Sequence, residues 1–189
     1  MGDSKPDTHG YRLDQNPCPQ LPLKSIGAAI APREPTTEFQ SDLLNHAALD
    51  RIACVVPLRS PGTAEQPKIG WSVGYSVGIT VELHKKADPG AEFEARQRVT
   101  DDGFSPEVNL ETVPNLGDKA FLVATDDNGM ELRVLEGGAV LSLSLSTYTQ
   151  FHGEESGELP AGEGPVPDLA SYQAAMISDM RDLMSNLKH

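Results

Sequence analysis

The stretch Trp71-Ser72-Val73-Gly74-Tyr75-Ser76-Val77-Gly78-Ile79-Thr80-Val81-Glu82-Leu83-His84 decides the fold. Every odd position from 71 to 83 is apolar, and the even positions are small, polar or charged. A two-residue period sends successive side chains to opposite faces, so the stretch predicts one long strand with a buried face and a small, polar face. Gly74 and Gly78 leave the backbone room to bend.

Working outward, Lys119 to Thr125 reads as a strand and Met130 to Leu135 as its return, joined through Asp127-Asn128-Gly129, whose Asn-Gly pair favours a type I′ turn. Gly137-Gly138 turns again into Ala139 to Thr149, where Leu141, Leu143 and Leu145 alternate with Ser142, Ser144 and Ser146, completing a three-stranded antiparallel meander. Asp168 caps a last helix in which Leu169, Tyr172, Met176, Met180, Leu183 and Leu187 form a continuous apolar stripe. A Met-rich stripe can be a partner-binding surface. Core packing is the preferred reading, because one face of the sheet would otherwise be bare.

On the other side, Arg51 to Leu58 reads as the first strand, ended by Ser60-Pro61-Gly62, with a helical turn expected at Gln40 to Leu44. Asp88-Pro89 supplies a cap and a first-turn proline for a helix expected to run to about Thr100. Leu21, Leu23, Ile26, Ala29 and Ile30 outline a short amphipathic helix that Pro32 ends. The expected fold class is α+β: a twisted antiparallel β-sheet with a long C-terminal helix packed on one face and a short N-terminal helix at an edge. Residues 1–15 read as a flexible N-terminal arm and 16–189 as a single α+β domain, with an acidic loop at 152–167 before the last helix.

Composition agrees. The chain of 189 residues holds 38% hydrophobic residues, 17 Gly and 15 Pro, a real core set among polar loops. Its net charge of −13 argues against nucleic acid and anionic lipid as partners, since both carry the same sign. The apolar runs Ile52 to Leu58 and Ile26 to Ala31 fall far short of the roughly 20 residues that span a bilayer. Met1 to Pro6 is polar with no apolar block behind it, and the expectation is an added Met-Gly before a mature or truncated domain whose signal peptide or lipid anchor was removed.

Gly74-Tyr75-Ser76-Val77-Gly78 matches the G-x-S-x-G pattern of a serine hydrolase. That chemistry needs Ser on a sharp strand-to-helix turn, whereas Ser76 lies inside unbroken alternation, so the match is read as chance and no catalytic residue is assigned. The histidines are scattered without paired ligand spacing, and Asp126-Asp127-Asn128-Gly129 lacks the Glu that a calcium loop needs, with Leu135 in its place. No metal site and no cofactor is expected. The strand face bearing Ser72, Ser76 and Thr80, with Trp71 and Tyr75 on the other side, is the candidate ligand-binding groove.

Cys18 and Cys54 are the only cysteines. They read either as a bridge between the first helix and a strand or as two buried free thiols. Asn16-Pro17-Cys18 before a short helix, a second Cys on a strand, and Leu116-Gly117-Asp118-Lys119-Ala120 leading into a meander resemble an actinobacterial domain family of unknown function, found largely in secreted lipoproteins and similar to Mog1/PsbP-like lipoprotein domains. The resemblance covers roughly residues 16 to 150; Val55 and Val56 stand where many members carry an aromatic. It implies a disulfide between Cys18 and Cys54, and a non-enzymatic, extracytoplasmic binding or accessory domain on the cell surface. The expected partner is an envelope protein or a small ligand, with contact to membrane only through a removed lipid anchor, and the expected state is a monomer. The alternatives are a serine hydrolase using Ser76 and a cytosolic adaptor domain.

Overall fold

In the computed structural model residues 71–84 form one unbroken strand, β3 (Trp71–His84), near the middle of a seven-stranded antiparallel sheet. The strand order is β1 (Gln40–Asn45), β2 (Leu49–Pro57), β3, β9 (Ala139–Phe151), β8 (Gly129–Glu136), β7 (Lys119–Thr125) and β6 (Asn109–Thr112). Two meanders are thus joined through β3 and β9, which pair from Trp71↔Phe151 to Leu83↔Ala139. The structure describes residues 5–13, 16–33, 40–58, 70–97, 99–100, 103–104, 109–125, 129–151 and 164–188.

Register turns the alternation into a core. Cys54 lies opposite Ile79, Ile79 opposite Leu143, Leu143 opposite Leu132 and Leu132 opposite Leu122, so one row of buried side chains crosses five strands. The helix α3 (Gln173–Asn186) covers this face with Met176, Met180, Leu183 and Met184, so the methionine stripe is core. Asp168 accepts the Ala170 N–H at 2.9 Å and opens a 3-10 turn, Leu169–Tyr172, that leads into the helix.

The N-terminal segment is fastened twice to this layer. Cys18 and Cys54 form a disulfide with their Cα atoms 6.0 Å apart. The short helix α1 (Lys24–Ala29) then borrows its cap from another helix, because Leu23 enters it at φ 40 and offers no capping side chain. The Asp179 carboxylate of α3, buried at 3% exposure, accepts the Ser25 N–H at 2.9 Å and the Ile26 N–H at 2.8 Å. Two orphan donors of a helix end and one buried charge satisfy each other.

Four expectations are corrected. Gln40 to Leu44 is not a helical turn but β1, in register with β2 from Gln40↔Val55 to Asn45↔Asp50, and a tight turn between His46 and Leu49 closes that hairpin. The first strand of the sequence reading is therefore the second of the sheet, and it spans Leu49–Pro57. The helix after Pro89, α2 (Gly90–Arg96), stops short of Thr100. Gln97 folds back so that its Nε2 donates to the Phe93 carbonyl, and β4 (Val99–Thr100) pairs with β5 (Gly103–Phe104). Finally, residues 5–13 are docked rather than free: Tyr11 and Leu13 belong to the core, Tyr11 bridges to Lys188, and the Tyr11 hydroxyl donates to Glu136. The turn expected at 60–62, residues 127–128 of the turn expected at 127–129, and residues 152–163 of the acidic loop lie outside the described residues.

The Leu116 to Ala120 segment has a local reason. Gly117 adopts φ +59, and a Cβ there would meet the Leu135 carbonyl oxygen at 2.6 Å, so only glycine fits. Asp118 next to it donates its N–H to that carbonyl and accepts the Gly137 N–H at 2.7 Å, which holds the β8–β9 turn.

Candidate functional site

The even positions of β3 face away from α3, and the two ends of that face differ. Toward Trp71 the surface is made of small groups: the Ser76 and Ser146 hydroxyls meet at 2.7 Å, and Gly74 lies under the Tyr148 ring, which is 53% exposed. Ser76 is mid-strand, opposite Pro57 on one side and Ser146 on the other. Ser72 lies 3.5 Å from the Gln150 carbonyl on the same face. Trp71 and Tyr75 are on the opposite face. Trp71 packs on Phe151 with ring centroids 5.2 Å apart, and Tyr75 is buried edge-on to Tyr172 at 6.3 Å. Of the five residues expected to form a groove, Thr80 borders a cavity of ligand size.

That cavity, of about 380 Å³, lies at the other end of the face, under α2. The helix is held there by a small apolar cluster separate from the main core. Phe93 stacks on Phe121 with centroids 5.9 Å apart, and Val123 and Leu135 are buried on the same face. Pro89, expected inside the first turn, is instead the N-cap, and Asp88 before it accepts the Gly90 N–H at 2.8 Å; Lys119 pairs with Glu94, and the Arg133 guanidinium donates to the Arg96 carbonyl at 2.8 Å.

The cavity wall is a set of matched charges. Arg51 stands directly opposite Glu82 in the β2–β3 register, with Nε and Oε1 3.2 Å apart. His84 Nε2 and an Arg96 nitrogen each lie 3.8 Å from the other Glu82 oxygen. Arg96 also pairs with Glu92 at 2.5 Å, one turn away on the helix. Arg133 donates to one oxygen of Glu131 through Nε at 2.8 Å and through a terminal nitrogen at 2.5 Å. The His84 side chain, aided by Arg96 and Arg51 and opposed by burial, holds the Glu82 carboxyl below its ordinary range. It therefore stays ionised and acts as an acceptor at neutral pH.

Between these pairs the floor carries hydroxyls: Thr80 lies opposite Ser142, and Ser142 opposite Arg133. Gln97 closes the helix end of the wall at 4% exposure. Its Nε2 donates to the Phe93 carbonyl, and its Oε1, shielded from solvent, has no hydrogen-bond partner among the described residues. Among the described residues there is no group of three or more His, Cys, Asp or Glu side chains that could hold a metal ion.

Sequence reasoning missed Arg51, Glu82, His84, Arg96, Gln97, Glu131 and Arg133 as a site. One trace was present: the even positions of β3 change from Ser and Gly to Thr80, Glu82 and His84 at its end, and Glu131 and Arg133 alternate with Leu132 and Val134.

Fold and cavity together define an α+β sheet domain with a ligand-sized, charge-matched cavity on the face turned away from its long helix. Comparison with known proteins adds no kinship: no family model, no curated protein and no solved structure matches the chain.

Proposed function

We propose that the chain is an extracytoplasmic binding domain of a cell-envelope lipoprotein that holds a small ligand in the cavity under α2. The observation that carries the compartment is the Cys18–Cys54 disulfide, a bond that persists outside the reducing cytoplasm. Among the described residues no helix is long and apolar enough to cross a membrane; the family resemblance implies attachment through a lipid anchor. Binding is supported by the cavity, whose volume is in the range of small-molecule sites and whose polar groups are locked by their own pairs before any ligand arrives.

Two measurements test this reading. Protein isolated without reductant and treated with iodoacetamide should gain no adduct mass; two adducts would remove the argument for compartment. Native mass spectrometry after incubation with the small-molecule fraction of an envelope extract should then show a retained mass that an Arg133→Gln, Glu82→Gln double variant loses. Retention that is equal in the variant would move the site away from the cavity.

A further inference from the structure

β1 is the outermost strand of the sheet, and among the described residues no strand pairs with its far side. Register tells which of its backbone groups face that side. His46 and Leu49 exchange both N–H···O bonds where the β1–β2 hairpin closes. Antiparallel pairs alternate between bonded and unbonded, so in the same register Leu44↔Arg51, Asp42↔Ala53 and Gln40↔Val55 are the bonded pairs. Ser41, Leu43 and Asn45 therefore turn their N–H and C=O groups away from β2. The next pair of strands agrees: the Leu58 N–H donates to the Tyr75 carbonyl, and by the same alternation Ile52 and Cys54 turn their groups toward β3 and not toward β1.

An open edge is a template for another strand unless something blunts it, and β1 has no Lys, no Pro and no break in register. It also has a symmetry. Residues 41, 43 and 45 are evenly spaced about Leu43, so a two-fold axis there pairs Leu43 with Leu43 of a second copy and Ser41 with Asn45, two backbone bonds in each of three pairs. Leu43 lies on the α3 side beside the buried Ile52 and is 53% exposed, and across the axis it gains an apolar neighbour. On the other side of the sheet Asp42 comes to stand opposite Leu44, so no charge meets its like. The far edge, β6, fails the same comparison. Val113 donates to the Ala120 carbonyl, which turns Leu110 and Thr112 outward, and the two-fold register that uses both sets Glu111 against Glu111. With one self-complementary edge and one that repels itself, association closes at two copies.

We propose that the chain forms a symmetric dimer in which the β1 strands of two copies pair antiparallel about Leu43, in place of the monomer expected from the sequence. One sheet then runs through both copies, with both α3 helices on one side and both cavities on the other. A strand of six residues is about 20 Å long, which makes an interface smaller than those of permanent dimers, so the association is weak and depends on concentration.

Sedimentation equilibrium of the whole chain tests this from about 10 µM to about 1 mM, in about 0.3 M salt to screen the repulsion between two copies of net charge −13. Wild type should pass from monomer to dimer within that range. Leu43→Lys sets two ammonium groups face to face and should weaken the dimer about tenfold. Leu44→Lys places its ammonium opposite Asp42 of the second copy and should leave the dimer as tight or make it several-fold tighter. Apolar sticking would instead lose strength in both variants. Both leucines are about half exposed, so both variants should keep the wild-type fold by circular dichroism. Hydrogen exchange gives a second reading: the Leu43 and Asn45 amides should slow as concentration rises, and the Leu44 amide, already bonded to β2, should not. A wild type that stays monomeric at about 1 mM overturns the proposal. So does a dimer that Leu43→Lys leaves unchanged, or one that both lysine variants weaken alike.

Discussion

The sheet has two faces built by the same strands in the same register, and they are finished in different ways. On the α3 side five of the seven strands deliver an apolar residue to the row Cys54, Ile79, Leu143, Leu132 and Leu122, and a helix, a disulfide and the segment with Tyr11 and Leu13 cover this side of the sheet. On the other side β2, β3, β9 and β8 deliver Arg51, Glu82, Ser142 and Arg133, and the short α2 stands over them. The covered face makes the fold stable, and the other displays chemistry. Alternation alone creates both possibilities, and the cover decides which one is used.

The comparison can be broken from the large end first. Leu143→Ala, in the middle of the buried row, should cost about 4 kcal/mol of unfolding free energy in a urea titration. A loss below about 1 kcal/mol would show that the α3 side is not the stabilising one. Asp179→Ala leaves the Ser25 and Ile26 N–H groups without their carboxylate. It should cost about 3 kcal/mol, and hydrogen exchange at those two amides should accelerate more than in the sheet.

Each face also carries one carboxyl held below its ordinary value of 4.5, and pH sharpens the contrast. Glu82 is lowered by His84, Arg96 and Arg51 against burial, while for Glu136 burial is likewise the opposing influence, overcome by hydrogen bonds from Tyr11 and Lys188. A depressed folded value contributes stability that is complete above the unfolded value and lost as pH falls through the folded one. Wild type should therefore lose stability below about pH 4.5 more steeply than either Glu82→Gln or Glu136→Gln. Parallel pH profiles for wild type and variants would contradict the assignment. At the small end, Ser76→Ala should change stability by less than about 0.5 kcal/mol, because its hydroxyl contact with Ser146 is exposed.

The buried face was legible from sequence because its period is local: β3, β9 and the α3 stripe each state it within one segment. The motif segment at 116–120 was legible as a pattern, and its reason, a glycine pressed against the Leu135 carbonyl, needed coordinates. The cavity was not legible, because its members come from β2, β3, β8, β9 and α2 and meet through register. Nothing in the chain says that Arg51 will stand opposite Glu82, or that Ser142 will lie between Thr80 and Arg133. β1 was misread because two adjacent leucines at an edge strand point to opposite faces, which leaves no period of either kind. Tyr11 and Leu13 were lost because two apolar residues in a polar stretch make too short a pattern, although both are buried in the core and Tyr11 meets Glu136 and Lys188.

The central claim is that the α3 side of the sheet carries the stability and the side under α2 adds little to it, and the unfolding free energy of Gln97→Met tests it most directly. The variant gives up one hydrogen bond to the Phe93 carbonyl and removes a buried acceptor that has no partner among the described residues, so its stability should equal or exceed that of wild type by up to about 1 kcal/mol. A loss of about 2 kcal/mol or more would mean that Gln97 holds the structure together, and would contradict the account.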